Sequence, residues 1–599
     1  MLVTEKAFPE VIKTIHKYKE IAVDTETTGL FPYAGDKLFG ISVSTKDESY
    51  YFDYNSELQT ATLSREKSPI ANILNGYDGV VNMHNAKFDM AFLANEGVAV
   101  EELKINCTYA VARIVDNSEN WLTLDHLTRK LGHNKSDEVK KHILKHKLYE
   151  WIQRPGKKKR EKNLFFYKVP LEVVQPYAEK DTEATLALAD HQFKSIRKQN
   201  GLKGLDIKLD NLLQNERRLT KVFYRMERRG IKVDVRFGSD GYAHETKKYT
   251  KLADEFKKLT GKDFIDSGVL FAIVFKEKGI PYPTTAKGNP CFDSDALKNC
   301  DHPLASIIKG YRDSYKKAGT FENILYYTYE DVLHSNARQA GCTTGRVSYS
   351  DPPMQCLEKV EEDDPSYKDK YLIRRCFVPR ENYKLFMLDY DQMEYRMMLN
   401  YAGQLDLIEK IKGGLDVHTA TAEMMGVPRK QAKTINFMLL YGGGSQKLAD
   451  ALGVSLDEAK WLKEKYFSVL PKVKSLVSSC QSVVTSRGII HNWFGRRYHI
   501  DSDFCYKAPN YLIQGGCADW IKVAMVNIDN FLKDKKSKML LQVHDELLFE
   551  VHKDEEEIVP ILKYIMESVS YEDPHLHLPY TVGVDWSDKN WQDKQEWLV

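Results

Sequence analysis

Apolar runs of strand length alternate with turn-rich or helical stretches over the first third of the chain. Ile21–Asp24, Leu38–Ser44, Tyr50–Phe52 and Val80–Met83 read as strands. From about residue 171 to 229 the spacing becomes helical, and the stretch from Asn215 stops at Gly230, a natural helix end. Residues 235–330 are Lys-rich and mostly helical in pattern, broken by a Pro- and Gly-containing loop over Pro281–Pro290. Strand-like runs return at Leu385–Leu388 and Met539–Val543, on either side of a helical block over about 404–487. The pattern predicts an α/β module followed by an α+β multidomain region, with no internal repeat.

Composition narrows the class. A chain of 599 residues has room for about three to five domain-sized units. Lys plus Arg number 87 against 85 for Asp plus Glu, so any nucleic-acid surface must come from local placement of charge. Hydrophobic residues make up 42%, enough for real cores, yet no apolar run approaches the length of a membrane span. The N-terminal segment carries charges throughout and lacks a signal peptide's apolar middle. Nine cysteines, none in a Cys-x-x-Cys pair or near His at zinc spacing, point to a reducing compartment and away from a disulfide scaffold. A multidomain, intracellular protein is expected. The one dense basic run, residues 157–162, reads equally as a solvated loop or as a loop that touches nucleic acid.

The first candidate chemistry sits at the end of the first strand. Asp24 and Glu26 alternate with Thr25, so both acids project to one face. Two carboxylates there offer hard oxygen ligands for Mg²⁺ or Mn²⁺, although this pair alone is as readily a plain surface feature. Asp89 follows in the segment Asn85–Asp89, just past another strand. Tyr177 and Asp181 are four apart on a helical segment and share a face, so a phenol can orient a water beside a metal-bound carboxylate. In order and spacing these three segments resemble the motifs of the DEDDy class of 3′→5′ exonucleases, over about residues 1–195. The resemblance implies a ribonuclease H-like fold in which Asp24, Glu26, Asp89 and Asp181 hold two metals and Tyr177 positions the attacking water. No position of this set departs from the pattern, which implies an active proofreader.

A second set lies in the last two-thirds. Asp389 ends the apolar strand before Tyr390, and Asp545 with Glu546 follows His544 between two apolar runs, as at a hairpin tip. Between them Arg429, Lys433, Phe437 and Tyr441 recur every four residues as one helical stripe, cationic at one end and aromatic at the other. A triphosphate fits the cations and a base and sugar the rings; a helix packing its rings inward is the plainer alternative. Together these segments resemble motifs A, B and C of DNA polymerase family A, the bacterial polymerase I type. Thr344-Gly345-Arg346, the pair Asn510 and Gln514, and Met226–Asp234 agree with that family's other marks.

The resemblance covers about 205–599 and implies a right hand: thumb 235–330, palm 331–403 and 490–599, fingers 404–489. It implies Mg²⁺, two ions per active site with Mn²⁺ as substitute, held by Asp389 and Asp545, with Glu546 in support. Arg429 and Lys433 would take the β and γ phosphates, Lys433 also serving as general acid. Tyr441 would stack near the nascent pair, and Gln392 and His544 would bind near the primer terminus. Arg346, Asn510 and Gln514 would contact the primer–template. Glu394 resembles the steric gate against a ribose 2′-hydroxyl, and Phe437 implies poor use of dideoxynucleotides.

Departures from the family pattern are Asp391 for Ser, Met438 for Gly, Pro353 and Cys356 for Asn, and Tyr506 for Arg. Asp391 adds a negative charge beside the metal acids. The partners implied are primer–template DNA and deoxynucleoside triphosphates, with no membrane, a monomeric chain, and a helicase or processivity factor left open. The layout is similar to phage or organelle replicative members, and on that resemblance no preceding 5′-nuclease domain is expected. The cytoplasm of a bacterium or phage-infected host is expected, with an organelle as the alternative. Three competing functions stay open: a single-subunit RNA polymerase, an exonuclease whose second half only binds DNA, and a non-enzymatic single-strand-binding protein.

Overall fold

The computed structural model describes residues 1–58, 61–133, 136–155, 159–202, 209–285, 287–440, 442–569 and 576–598. The first module is a five-stranded mixed sheet. Its strands are β1 (Glu20–Thr27), β2 (Leu38–Ser44), β3 (Ser49–Asp53), β4 (Val80–Met83) and β5 (Lys104–Cys107), in the order β3-β2-β1-β4-β5. β1 is antiparallel to β2 and parallel to β4. Ile21, Ala22 and Val23 are at most 1% exposed, which is why the most apolar run takes the middle of the sheet. β5 was invisible in the pattern because Lys104 and Asn106 interrupt it. Asn106 is nonetheless buried, donating to Asn82 Oδ1 at 2.7 Å. A 30-residue helix α1 (Leu171–Asn200) packs across β1, β2 and β3 and carries Tyr177 and Asp181. Of the basic run, Lys157 and Lys158 lie outside the described residues. The rest leads into a two-stranded hairpin, Tyr149–Ile152 with Glu161–Leu164, where Lys162 lies over the rings of Tyr149 and Trp151.

The second module is built on an antiparallel sheet. Its strands are β6 (Tyr383–Tyr390), β7 (Lys538–Val543), β8 (Glu546–His552), β9 (Val582–Ser587) and β10 (Gln595–Glu596), ordered β7-β8-β6-β9-β10. β6 is central, with Leu385, Phe386, Met387 and Leu388 at most 1% exposed, so Asp389 is delivered at the end of a fully buried strand. Two long helices, Val235–Thr260 and Pro303–Tyr326, pair along their lengths, with a separate small core at their tip around Phe256, Phe271 and Phe292. Their crossing needs Gly241: a Cβ there would sit 2.7 Å from the Phe321 ring. Among the described residues six helices between Leu405 and Arg487 form the helical block that the spacing predicts over about 404–487.

The two modules share one helix, α2 (Asp210–Arg229). Arg217 Nε donates to Asn106 Oδ1 of the first sheet at 3.0 Å. On its other side Glu216, 2% exposed, pairs with Arg496 and with Lys522 (2.7 Å), while Arg496 also bonds Asp519 at 2.7 Å. All four charges are buried and mutually satisfied, so each holds the others in register. Arg225 pairs with Asp529 of the second module and Glu101 of the first, and Lys87 pairs with Glu227.

Candidate active sites

In the first module Thr25 ties Asp89 to the strand that bears Asp24 and Glu26. Its N–H and its hydroxyl both donate to Asp89 Oδ1, at 3.0 and 2.8 Å. Asp89 lies in the first turn of the helix Ala86–Asn95, where an acid is favoured. Burial pushes its carboxyl up to about 7, against the lowering effect of the Thr25 bonds. The Tyr177 phenol is held well above its usual range, by burial first and then by the charges of Asp181, Glu26 and Asp24. The phenol therefore stays protonated among three of the four predicted acids, and it bonds Asp181. The sequence reading had no sign of Thr25 as the tether of Asp89. Asp181 also lines a cavity of about 220 Å³ with His133 and Lys180.

In the second module Asp389 stands directly opposite Glu546 in the β6–β8 register, and Asp545 sits in the turn between β7 and β8. The hairpin-tip expectation is met, with His544 in left-handed backbone at φ 57°. Burial, then the charges of Asp545 and Glu546, push Asp389 up to about 7; Lys359 and Lys594 oppose them. Asp545 is raised by burial and by Glu394, with Arg346 and His544 opposing. Glu394 is 8% exposed and forms an ion pair with Arg346. Gly345, at φ 92°, lays this loop onto the buried Arg496, whose Nε would stand 2.8 Å from a Cβ there. The Tyr498 hydroxyl donates to Thr344 O at 3.1 Å, fixing the same loop. Gln392 also has left-handed backbone, at φ 51°, at the start of the helix Met393–Ala402.

The mixed stripe falls on helix α3 (Arg429–Leu440). Arg429, Lys433 and Phe437 all face outward, Phe437 being 40% exposed, while Ala432, Ile435 and Asn436 are fully buried. The inward-packing alternative is thereby excluded for these three; Tyr441 lies outside the described residues. Arg429 donates to both carboxylate oxygens of Asp416 at 3.1 Å. Although burial works the other way, Arg429 and Thr419 hold Asp416 well below the usual carboxylate range. Behind the helix Asn436 bonds His418 Nδ1 at 3.0 Å and accepts from the Tyr395 hydroxyl at 3.0 Å, and the His418 ring lies 5.5 Å from Phe437. None of this buried polar anchoring was legible, because lone His, Asn and Tyr residues carry no periodic signal.

Asn510 and Gln514 lie one turn apart at the start of helix α4 (Ala508–Phe531). Asn510 Oδ1 is buried with no partner among the described residues. Asp391 accepts from Thr581 Oγ1 at 2.8 Å and feels the charge of Arg396. Two residues that the sequence did not flag support the acids. The Trp591 indole N–H donates to Glu546 Oε1 at 3.0 Å, and the buried Arg374 guanidinium lies 4.2 Å over the Trp591 ring.

Among the described residues no three His, Cys, Asp or Glu side chains stand in a ready-made coordinating group. The donor chemistry nevertheless fits a hard divalent cation at both places. Acids that push a buried neighbour toward neutrality need positive charge beside them, and all the donors are oxygens.

Comparison with known proteins agrees with both halves. Residues 1–196 match a 3′–5′ exonuclease family model, and residues 241–593 match that of DNA polymerase family A. A DNA polymerase DpoZ of Salmonella phage PMBT28 is 26% identical over 97% of this chain and 98% of its own length. The thermostable DNA polymerase I of Thermus thermophilus is 32% identical over 67% of this chain and 50% of its own. The polymerase domain of M. smegmatis Pol1, solved with a DNA primer–template and a dNTP, has the same fold: TM-score 0.80, 24% identity, 99% of each chain covered. Among the described residues no helix is long and apolar enough to cross a membrane. The chain belongs to DNA polymerase family A and carries a 3′–5′ exonuclease domain ahead of its polymerase domain.

Proposed function

We propose that this chain extends a primer 3′-hydroxyl with deoxynucleotides at Asp389 and Asp545, and removes mispaired ends at the Asp24, Glu26, Asp89 and Asp181 site. The observation that carries the reading is the pairing of Asp389 with Glu546 at the end of the central strand, beside Asp545, with an outward cationic and aromatic stripe on α3. The thumb is assigned to 235–330, the palm to 331–403 and 490–599, and the fingers to 404–489. The family model and the primer–template in the related structure support these assignments.

Asp389 and Asp545 hold two divalent cations, Mg²⁺ or Mn²⁺, with Glu546 as a supporting acid. Their chemistry, when bound, is Lewis-acid stabilisation of the attacking and leaving oxygens at both active sites. Arg429 and Lys433 bind the triphosphate, for which Arg429 shares or exchanges its bond to Asp416. Lys433 hands a proton to the departing pyrophosphate. Phe437 lies against sugar and base, and Glu394 closes the space of a 2′-hydroxyl. Gln392 and His544 meet the primer terminus. Arg346, Asn510 and Gln514 reach the minor groove, where contacts carry little sequence information. At the other site Tyr177 stays protonated and orients the attacking water. The chain works as a monomer in the cytoplasm of a bacterium or its phage-infected host.

The test is primer length. A 5′-labelled primer on a longer template, with Mg²⁺, lengthens when all four deoxynucleotides are present and shortens when they are absent. Asp545→Ala abolishes only lengthening and Asp24→Ala only shortening. No change of length in either lane overturns the reading in favour of a binding protein, and extension with ribonucleotides in preference overturns it in favour of an RNA polymerase.

A further inference from the structure

A second strongly cationic cavity, of about 880 Å³, lies where α2, the end of α4 and the start of β7 meet Glu101 of the exonuclease module. Its wall carries seven Lys or Arg side chains and two acids, Glu101 and Asp529. Both acids are spent on one cation, Arg225. Arg229 is paired with Glu550 at 2.6 Å. That leaves Arg218, Lys221, Arg228, Lys533 and Lys538 with no carboxylate within 4 Å among the described residues. The ammonium groups of Lys221 and Lys538 are both held below the usual lysine range, by burial and by neighbouring cations, against Glu101 and Asp529. An excess of positive charge is thus concentrated in one concave place, on a chain whose net charge is only +2.

The floor is apolar: Val222, Met226, Val526, Leu532 and Met539 all line the cavity and belong to the core. The place is remote from the polymerase chemistry. Lys538 begins the strand that leads to Asp545, seven residues on, about 23 Å at strand rise. Asp529 lies fifteen residues along α4 from Gln514, about 22 Å at helical rise.

A single nucleic-acid strand is the first ligand to weigh. Strands held without sequence preference stack their bases on exposed aromatic rings. Tyr224 is the one aromatic residue lining the cavity, and a single ring gives no platform on which successive bases could stack. A basic rim over an aliphatic floor matches instead a polypeptide that alternates carboxylates with apolar side chains.

We propose that this cavity is a docking site for an acidic, apolar-containing segment of a partner protein, placed on the seam between the exonuclease and the polymerase. Acidic side chains would meet Arg218, Lys221 and Lys533 at the rim, and an apolar side chain would enter toward Met226 and Leu532.

The experiment uses the full chain and a fluorescein-labelled ten-residue peptide, rich in aspartate and containing two phenylalanines and a leucine, read by anisotropy. A peptide of aspartates alone and a labelled oligothymidylate are run beside it. Arg218 and Lys533 are exposed and unpaired, so Arg218→Glu with Lys533→Glu is expected to fold and to extend a short primer as the parent does. The mixed peptide should bind at least tenfold more tightly than the all-aspartate one. The double variant should lose at least tenfold of that affinity, and raised salt should weaken binding in the parent. Absence of peptide binding at millimolar concentration, or equal affinity in the double variant, overturns the proposal. Oligothymidylate binding that exceeds the peptide's and vanishes in the double variant also overturns it, and makes the cavity a strand-binding surface. Primer extension by the double variant keeps either result separate from the assignment of the polymerase site.

Discussion

The Trp591 indole N–H donates at 3.0 Å to Glu546 Oε1, the carboxylate that faces Asp389 across the β6–β8 pair. Glu546 is 7% exposed and lies among other negative groups, so a fixed neutral donor sets where its charge points. Trp591→Phe leaves an aromatic ring beneath Arg374 and removes the donor, together with part of the buried indole volume. A hydrogen bond to a charged group is worth about 1.5–3 kcal/mol. Steady-state kinetics should show a fall of roughly tenfold in kcat for incorporation, with KM for nucleotide and the exonuclease rate unchanged. In a Glu546→Gln background the same substitution should cost much less. Additive losses would mean that Trp591 only packs.

The Glu394–Arg346 ion pair separates two roles that one substitution would confuse. Glu394→Gln keeps the volume and removes the charge, whereas Glu394→Ala opens the space beside the sugar. Competition between ribo- and deoxynucleotides should show selectivity falling by roughly 10–200-fold for Ala and hardly at all for Gln. If Gln falls as far as Ala, the ion pair rather than bulk sets sugar choice.

Phe437 is exposed on the same face of α3 as Lys433, so a hydroxyl added to its ring would point away from the core, toward the sugar of the nucleotide in the proposed function. Phe437→Tyr should therefore raise dideoxynucleotide incorporation, read as chain termination on a sequencing-type gel, with little effect on the melting temperature. Unchanged discrimination would contradict the placement of this helix over the incoming nucleotide.

Asp89 links the exonuclease site to stability. Its carboxyl is raised in the fold to about 7, so the folded protein binds more protons than the unfolded chain between about pH 4 and 7. Stability of the metal-free protein should accordingly fall as pH rises through that window and stay low above it. Ionised burial of this kind corresponds to at most about 4 kcal/mol. In EDTA at pH 8, Asp89→Asn should raise the melting temperature of the exonuclease transition while abolishing primer shortening. At pH 4 the two proteins should melt alike, and Mg²⁺ at pH 8 should narrow the gap. A less stable Asn variant in EDTA at pH 8 would refute the account.

Much of the fold was legible because its signals are local. Strands such as Leu38–Ser44 and Val80–Met83 appear with the predicted ends, and the hairpin tip at His544-Asp545 follows from the apolar runs that flank it. The candidate acids Asp24, Glu26, Asp89, Asp389 and Asp545 stood out for the same reason, each on or just past an apolar strand, whereas Asp181 stood out by its helical spacing from Tyr177. What was hidden is non-local and polar. Thr25 holding Asp89, Trp591 holding Glu546, and Asn436 bonded to His418 and Tyr395 join residues far apart in the chain, and no spacing rule announces them. β5 was hidden because its polar Asn106 is satisfied by another buried amide, a pairing visible only after folding. The partner of Asp391 was hidden for a related reason: Thr581 comes from a distant part of the chain.

The buried charges around α2 have a bearing on editing. Glu216, Arg496, Lys522 and Asp519 bind the shared helix to the polymerase, and Arg217 binds it to the exonuclease sheet. A hinge on the exonuclease side of α2 would leave that cluster buried, but it would have to break the Arg217–Asn106 bond and the Lys87–Glu227 and Arg225–Glu101 pairs, which hold the two workplaces at one spacing. On the proposed function, a primer end that serves both sites would itself have to travel between them, and loosening of its last base pairs would favour its removal over its extension.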